Sequence, residues 1–412
     1  MNATGQDFLA GEPNRDFVLR PERGDGGGMA LGEAVFRPPP SAKALPGGRR
    51  QAGQFRRTGL IQGPRMAPPV LARILRGDFV ESGHRGDAAV VDEAGRLLAR
   101  AGDPSRKVFL RSAAKPFQVL PLLEAGGVER FRLSSADVAL MCASHGGEPR
   151  HVRRVERLLA LGGFRVRDLV CGPHLPFFEP AARALVARGE HPTRLHNNCS
   201  GKHAGLLLAC RLLGLPTKTY WRPEHPLQLA IRRKIAELGS VSESDMDVAI
   251  DGCGLAVYRL PLSALALAYA RLMARRVHGE TPGEKQARAR VVQAMSNNPG
   301  MVAGTRFFTT ELLRAGEGRW IGKEGAEGVY AVGVRAPISG RRAAGLVLKI
   351  EDGSARARPT VTLQLMREMR WLPAPARRAL RRFERPPVEN AAGAVVGAIE
   401  AEAPILRGNA DG

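Results

Sequence analysis

Five short polar stretches, each set between apolar runs, carry residue types that perform hydrolytic chemistry. The first is Arg111-Ser112-Ala-Ala-Lys115. A serine hydroxyl is a weak nucleophile until a base takes its proton, and a lysine partly withdrawn from water has the lowered pKa that lets it do so. If Ser112 opens the helix that runs on to Leu123, positions i and i+3 share a face and Lys115 sits beside the hydroxyl. Pro116 supports that placement, because proline fits the first turn of a helix and breaks its interior. The plainer alternative is an N-cap serine followed by a surface lysine. A second serine lies in Cys142-Ala-Ser144-His145-Gly146, which departs from the Gly-x-Ser-x-Gly nucleophile elbow at its first position. Gly146 and Gly147 free the backbone there for close approach of a ligand. Lys323 is no Walker A lysine, since no Ser or Thr follows it. It fits a lysine on a late strand facing a pocket, or a turn lysine.

The remaining two stretches bear sulfur. Cys199-Ser-Gly-Lys202-His203 and Asp251-Gly-Cys253-Gly supply two thiols, an amine and an imidazole, and Cys171-Gly-Pro-His174 offers a further pair. Zinc takes such N and S donors. A lysine ligand must first lose its proton, however, and there is no Cys-x-x-Cys. Small buried thiols are the competing reading.

Positioning these stretches requires a core. The spacing predicts strands at Ala88–Val91 and Leu97–Ala99, turning at Asp92-Glu-Ala-Gly95, then a helical middle. Helices are expected over 114–123, 136–143, 150–161, 179–188, 204–213, 227–238 and 262–277. Late strands are expected at 329–334, 344–350 and 361–363. Strands, then helices, then strands imply an α+β fold whose sheet joins the two ends of the chain around a helical block.

Residues 1–65 have another texture, rich in Gly and Pro, with only basic charges after Glu33. They read as a disordered basic extension, whether a tether or a translated leader ahead of Met66. A catalytic domain over 66–400 and a flexible tail over 401–412 follow. The 62 Lys and Arg against 40 Asp and Glu give +22, a charge that raises the question of a nucleic-acid partner. Arginine makes the solvated faces of helices throughout, and the 5% aromatic content is not interleaved with it. No nucleic-acid partner is expected. The absence of a signal or spanning segment and the irregular spacing of five cysteines point to a reduced, cytoplasmic protein without membrane contact.

Taken together and in order, Ser112-Ala-Ala-Lys115-Pro-Phe-Gln, Ser144-His-Gly-Gly-Glu148, His196-Asn-Asn-Cys199-Ser-Gly-Lys202-His203, Asp251-Gly-Cys253-Gly and Lys323-Glu-Gly-Ala-Glu-Gly resemble one family. It is the rhizobial-type, thermolabile L-asparaginase family (class 3, asparaginase II), and the likeness runs from about residue 67 to 400. The resemblance implies a fold similar to serine β-lactamases and glutaminases, an antiparallel sheet flanked by helices with a helical subdomain. It implies two serine-lysine pairs, Ser112 with Lys115 and Ser144 with Lys323, and a zinc site of Cys199, Lys202 and Cys253 beside Asp251 and His203.

The expected reaction is hydrolysis of L-asparagine to aspartate and ammonia. Lys115 would activate Ser112, Ser144 and Lys323 would relay the proton to the departing ammonia, and backbone N–H groups would hold the oxyanion. Arg111 would grip the substrate α-carboxylate, with His203 and Asp251 also at the substrate, and the zinc would orient it. Either serine can form the acyl bond on this evidence. Dimers being the commonest assembly, a homodimer is expected. The rivals are another serine amidase or penicillin-recognising hydrolase, and a basic nucleic-acid-binding protein on an inactive hydrolase fold.

Overall fold

A single long strand organises the sheet. In the computed structural model, which describes residues 67–407 apart from 337, 339, 341 and 403, β1 (Val70–Arg76) turns at Gly77 into β2 (Phe79–Asp92). The first half of β2 pairs with β1, and its second half pairs with β3 (Leu97–Ala101) and with β9 (Ala344–Ile350). The turn between β2 and β3 forms because Asp92 Oδ1 accepts the N–H groups of Ala94 and Arg96 at 3.0 and 2.9 Å. This is the side-chain turn chemistry that aspartate favours.

Three more strands arrive from late in the chain, β7 (Trp320–Glu324), β8 (Val329–Val334) and β9 (Ala344–Ile350). β10 (Pro387–Glu389), β11 (Val395–Ala401) and β12 (Leu406–Arg407) complete the set. The antiparallel order is β10-β11-β1-β2-β9-β8-β7, with β3 and β12 continuing beside β2. Strands from early and late in the described residues thus meet in one sheet, as the element order implied. Of the expected tail, Ala401 closes β11 and Leu406–Arg407 pair with β3. Residues 408–412 lie outside the described residues, as does the expected extension over 1–65.

Helices cover both faces. On one face the apolar helix Leu262–Met273 lies across β9, β8 and β2. Its contact is so close that a Cβ on Gly345 would fall 1.8 Å from the Ala266 carbonyl oxygen, so only glycine fits. On the other face Arg358–Glu368 and Ala374–Glu384 close a second apolar core over Trp320, Tyr330 and Leu346. The strand expected at 361–363 is a correction: Val361 and Leu363 lie inside the helix Arg358–Glu368. Pro359 in its first turn starts the helix, and burial of Val361, Leu365 and Met366 outweighs the β preference of Val and Thr. The helices Pro282–Asn297, Phe308–Gly316 and Ala374–Glu384 were not foreseen.

A small second sheet, β4 (Lys107–Phe109), β6 (Ala256–Pro261) and β5 (Asp247–Ile250), brings two of the polar stretches together. Leu110 N–H still bonds Tyr258 O at 3.0 Å. The chain therefore leaves β4 alongside the β5–β6 turn that holds Asp251 and Cys253.

Candidate active site

Arg111 follows β4 with φ +48, a left-handed conformation that costs a non-glycine residue strain of about 1–3 kcal/mol. The kink starts a 3-10 turn, Arg111–Ala114, followed by the short helices Lys115–Gln118 and Leu120–Glu124. The single helix expected over 114–123 is broken because Pro116 and Pro121 each open a new first turn. Ser112 therefore sits at a helix start, half-buried, while Lys115 is only 1% exposed. Tyr269 holds this motif from the sheet-covering helix: its hydroxyl donates to Ala113 O at 2.8 Å, and its ring meets Phe117 edge-on at 5.3 Å.

Ser144 comes from the extended segment after the helix Ser135–Met141, a helix fixed by a Ser134–Asp137 capping box. The elbow reading fails here, since no strand leads into this serine. Three successive N–H groups tie the segment down: Ser144 to Val302 O at 3.0 Å, His145 to Asn198 O at 3.2 Å and Gly146 to Ala303 O at 2.7 Å. Glu148 secures the far side by accepting Thr305 N–H at 2.7 Å and the Thr305 hydroxyl at 2.9 Å.

Two lysines converge on that serine. Lys115 Nζ lies 3.0 Å from Ser144 Oγ and donates to Ala143 O at 2.5 Å. Lys323, on β7 and fully buried, reaches Ser144 Oγ at 2.8 Å and Glu324 Oε1 at 2.6 Å. Burial pulls the Lys323 ammonium down to about 8, with the nearby charge of Lys115 acting the same way and Glu324 opposing. The expected Ser144–Lys323 contact is present. Among the described residues, no hydrogen bond joins Ser112 to Lys115, whose ammonium turns to Ser144 instead.

The sulfur cluster adjoins this group. Helix Ser200–Leu213 is buried along its first eleven residues, so Lys202 and His203 sit in the interior rather than on a surface. Gly201 permits it: a Cβ there would lie 2.5 Å from Leu140 O. Lys202 Nζ donates to Cys253 Sγ at 3.0 Å. The neighbouring Cys199 thiol and the charge of Lys202 draw the Cys253 thiol down to about 6, against burial, while Cys199 is pushed up to about 12. Burial disfavours the Lys202 charge, but the thiols and Asp251 outweigh it and hold it protonated.

His203 Nδ1 meets Tyr220 OH at 2.7 Å, and its buried Nε2 has no partner among the described residues. Arg111 Nε donates to Asp251 Oδ1 at 2.7 Å, placing fixed opposite charges at one side of the site. Cys171 and His174, also weighed as ligands, turn elsewhere: Cys171 Sγ to Arg194 O at 3.9 Å and His174 to Asn198.

The set fits zinc in donor type, with two thiols, an amine and an orphaned buried imidazole nitrogen nearby. Among the described residues, no three His, Cys, Asp or Glu side chains share one point. Any metal here therefore depends on Lys202. Sequence reasoning missed Asn198 and Glu324, which bond to Lys115 and Lys323. Asn198 was inside a quoted motif, but nothing in its type marked it.

The L-asparaginase II family profile matches residues 72–401. Among solved structures, Mglu is 17% identical over 70% of this chain and 67% of that chain, with a TM-score of 0.32. A second Mglu structure, with 4.3 M NaCl, is 17% identical over 69% of this chain and 61% of that chain, also at 0.32. A probable glutaminase from Bacillus subtilis, complexed with 6-diazo-5-oxo-L-norleucine, is 14% identical over 69% and 84%, at 0.33. No curated protein sequence matches the chain.

Proposed function

Because the chain belongs to the L-asparaginase II family and is thus an amidohydrolase of the asparaginase and glutaminase type, we propose that it hydrolyses the side-chain amide of L-asparagine through a serine acyl-enzyme. The observation that carries this reading is the hydroxyl of Ser144 lying between two lysine ammonium groups, at 3.0 Å from Lys115 and 2.8 Å from Lys323. A hydroxyl in that position can pass a proton from one lysine to the other and leaves the half-buried Ser112 free to meet substrate.

In the first half-reaction Lys115, in its neutral amine form, takes the Ser112 proton as the oxygen bonds to the amide carbon and the carbonyl electron pair moves onto oxygen. The carbon–nitrogen bond then breaks, and the departing ammonia receives a proton through Ser144 and Lys323. Water then attacks the ester carbon, giving one proton to the lysine relay. The bond from the acyl carbon to the Ser112 oxygen breaks, aspartate leaves, and the relay returns that water proton to Ser112. The N–H of Ser112, at the start of its 3-10 turn and without an intrahelical partner, would face the developing oxyanion. Arg111 and Asp251 would hold the α-carboxylate and α-ammonium. His203 belongs beside them through the unpartnered Nε2.

Cys199, Lys202 and Cys253 would hold a zinc ion, supplying a fixed positive charge that orients the bound amino acid. Lys202 must release its proton for that binding. A homodimer in the cytoplasm completes the proposal; among the described residues no helix is long and apolar enough to cross a membrane.

A second assignment, Ser144 as nucleophile, is favoured by the fact that both lysines bond it. The test is reaction with 5-diazo-4-oxo-L-norvaline, an electrophilic asparagine analogue, followed by mass mapping. An adduct on Ser112 supports the first assignment and one on Ser144 the second. No adduct together with no ammonia release from asparagine refutes both.

A further inference from the structure

His174 lies on the loop between Cys171 and Phe178, outside the groups assigned above. Its Nδ1 is 2.6 Å from the Leu175 carbonyl oxygen. A carbonyl only accepts, so Nδ1 carries the proton and Nε2 is left as an acceptor. Two donors from one residue use it, the backbone N–H of Asn198 at 2.9 Å and the Asn198 Nδ2–H at 3.1 Å. The imidazole is also stacked on Phe177, with centroids 4.7 Å apart and an interplanar angle of 16°.

The rest of Asn198 faces the site. Its carbonyl accepts His145 N–H at 3.2 Å, directly after Ser144, and lies 3.5 Å from Lys115 Nζ. Its Oδ1 accepts the Cys199 S–H at 3.1 Å. One residue thus meets the serine segment and the lysine through its carbonyl oxygen and the thiol cluster through Oδ1. Its backbone N–H, a group that must be satisfied when withdrawn from water, depends on the imidazole.

We propose that His174, as the Nδ1–H tautomer, is a positioning residue that clamps Asn198 and so fixes the carbonyl against which Lys115 and the Ser144-His145 segment are set. This rests on the acyl-transfer reading above, so the test has one readout that needs no turnover. Variants H174A and H174Q are compared by steady-state kinetics on asparagine and by hydrogen exchange of the Asn198 amide. Glutamine places an acceptor oxygen near the Nε2 position.

In H174A the amide exchanges faster and kcat falls about tenfold or more with KM unchanged, because a small misplacement of a catalytic group costs up to about 10²-fold. H174Q restores slow exchange and most of kcat. Unchanged exchange in H174A overturns the clamp. Faster exchange with wild-type kcat overturns the positioning role, as does a loss of kcat that H174Q fails to rescue. If the wild-type protein releases ammonia from neither asparagine nor glutamine, the acyl-transfer reading falls separately. The exchange rates then support or overturn the clamp by themselves.

Discussion

Replacing Glu324 by glutamine should shift the alkaline limit of activity toward lower pH. Lys323 is drawn down to about 8, chiefly by burial, and the Glu324 carboxylate is the main group opposing that shift. In the proposed relay Lys323 acts as an acid toward the departing ammonia, so kcat/KM falls as pH rises through its pKa. Glutamine keeps the shape and a hydrogen-bonding oxygen but removes the charge. Glu324 Oε1 lies 2.6 Å from Lys323 Nζ. Even at the dielectric of water, unit charges that far apart interact by about 1.6 kcal/mol, which is about one pH unit.

The limb should therefore move from near pH 8 to about 7 or lower, with a loss of about fivefold at pH 8 and almost none at pH 6. The assay is ammonia release from asparagine across pH 5.5–10, an interval of roughly two units around the wild-type pKa on each side. A thermal melt checks that the variant is folded. A limb that stays in place, moves to higher pH, or drops uniformly at every pH refutes the assignment of Lys323 as the acid.

Ser144→Ala should reduce kcat about 10²–10⁴-fold while leaving KM nearly unchanged, because the hydroxyl joins the two lysines but does not grip the substrate; steady-state kinetics decide this. Cys253→Ser should abolish zinc retention after dialysis, measured by metal analysis, because Cys253 supplies the thiolate beside Lys202. Gly345→Ala should lower the unfolding free energy, measured by urea titration, by about 1–3 kcal/mol or more, since its methyl would stand 1.8 Å from the Ala266 carbonyl oxygen.

Several parts of this arrangement were legible in residue types and spacing. Asp92 and Gly95 specify the β2–β3 turn, and the run of apolar residues from Leu262 predicts the sheet-covering helix, although that helix ends at Met273 rather than continuing to Val277. The five polar stretches do gather. What spacing misjudged is which side chain each one meets. Ser112 and Lys115 are three apart on a helical turn, yet the lysine ammonium reaches Ser144, which is brought in by the helix Ser135–Met141 and the anchors at Val302 and Ala303. Only the tertiary fold supplies that partner. Val361 and Thr362 favour strand locally, but the core above Trp320 decided for helix. Helix Pro282–Asn297 carried a readable Thr281–Glu284 capping box, and its weak amphipathic pattern hid it. His174 reads only as a possible metal ligand, and Asn198 gives no signal, because its contacts to Lys115 and His145 use a backbone carbonyl that every residue possesses.

The pairing of β2 with β9 also bears on how the protein is made. Val91 stands opposite Gly345, so about 250 residues must be synthesised before the second half of β2 finds its partner. At about 5–20 residues per second on the ribosome, that wait lasts roughly 13–50 s. Throughout it the apolar run Ala88–Val91 has only the β3 hairpin beside it. The helices between Lys115 and Gly316 emerge meanwhile and can bury one another first. β1 waits longer still, because its second neighbour, β11, ends at Ala401. During synthesis these strand edges therefore stay unpaired for that interval, and the yield of folded protein should depend on how well they are shielded.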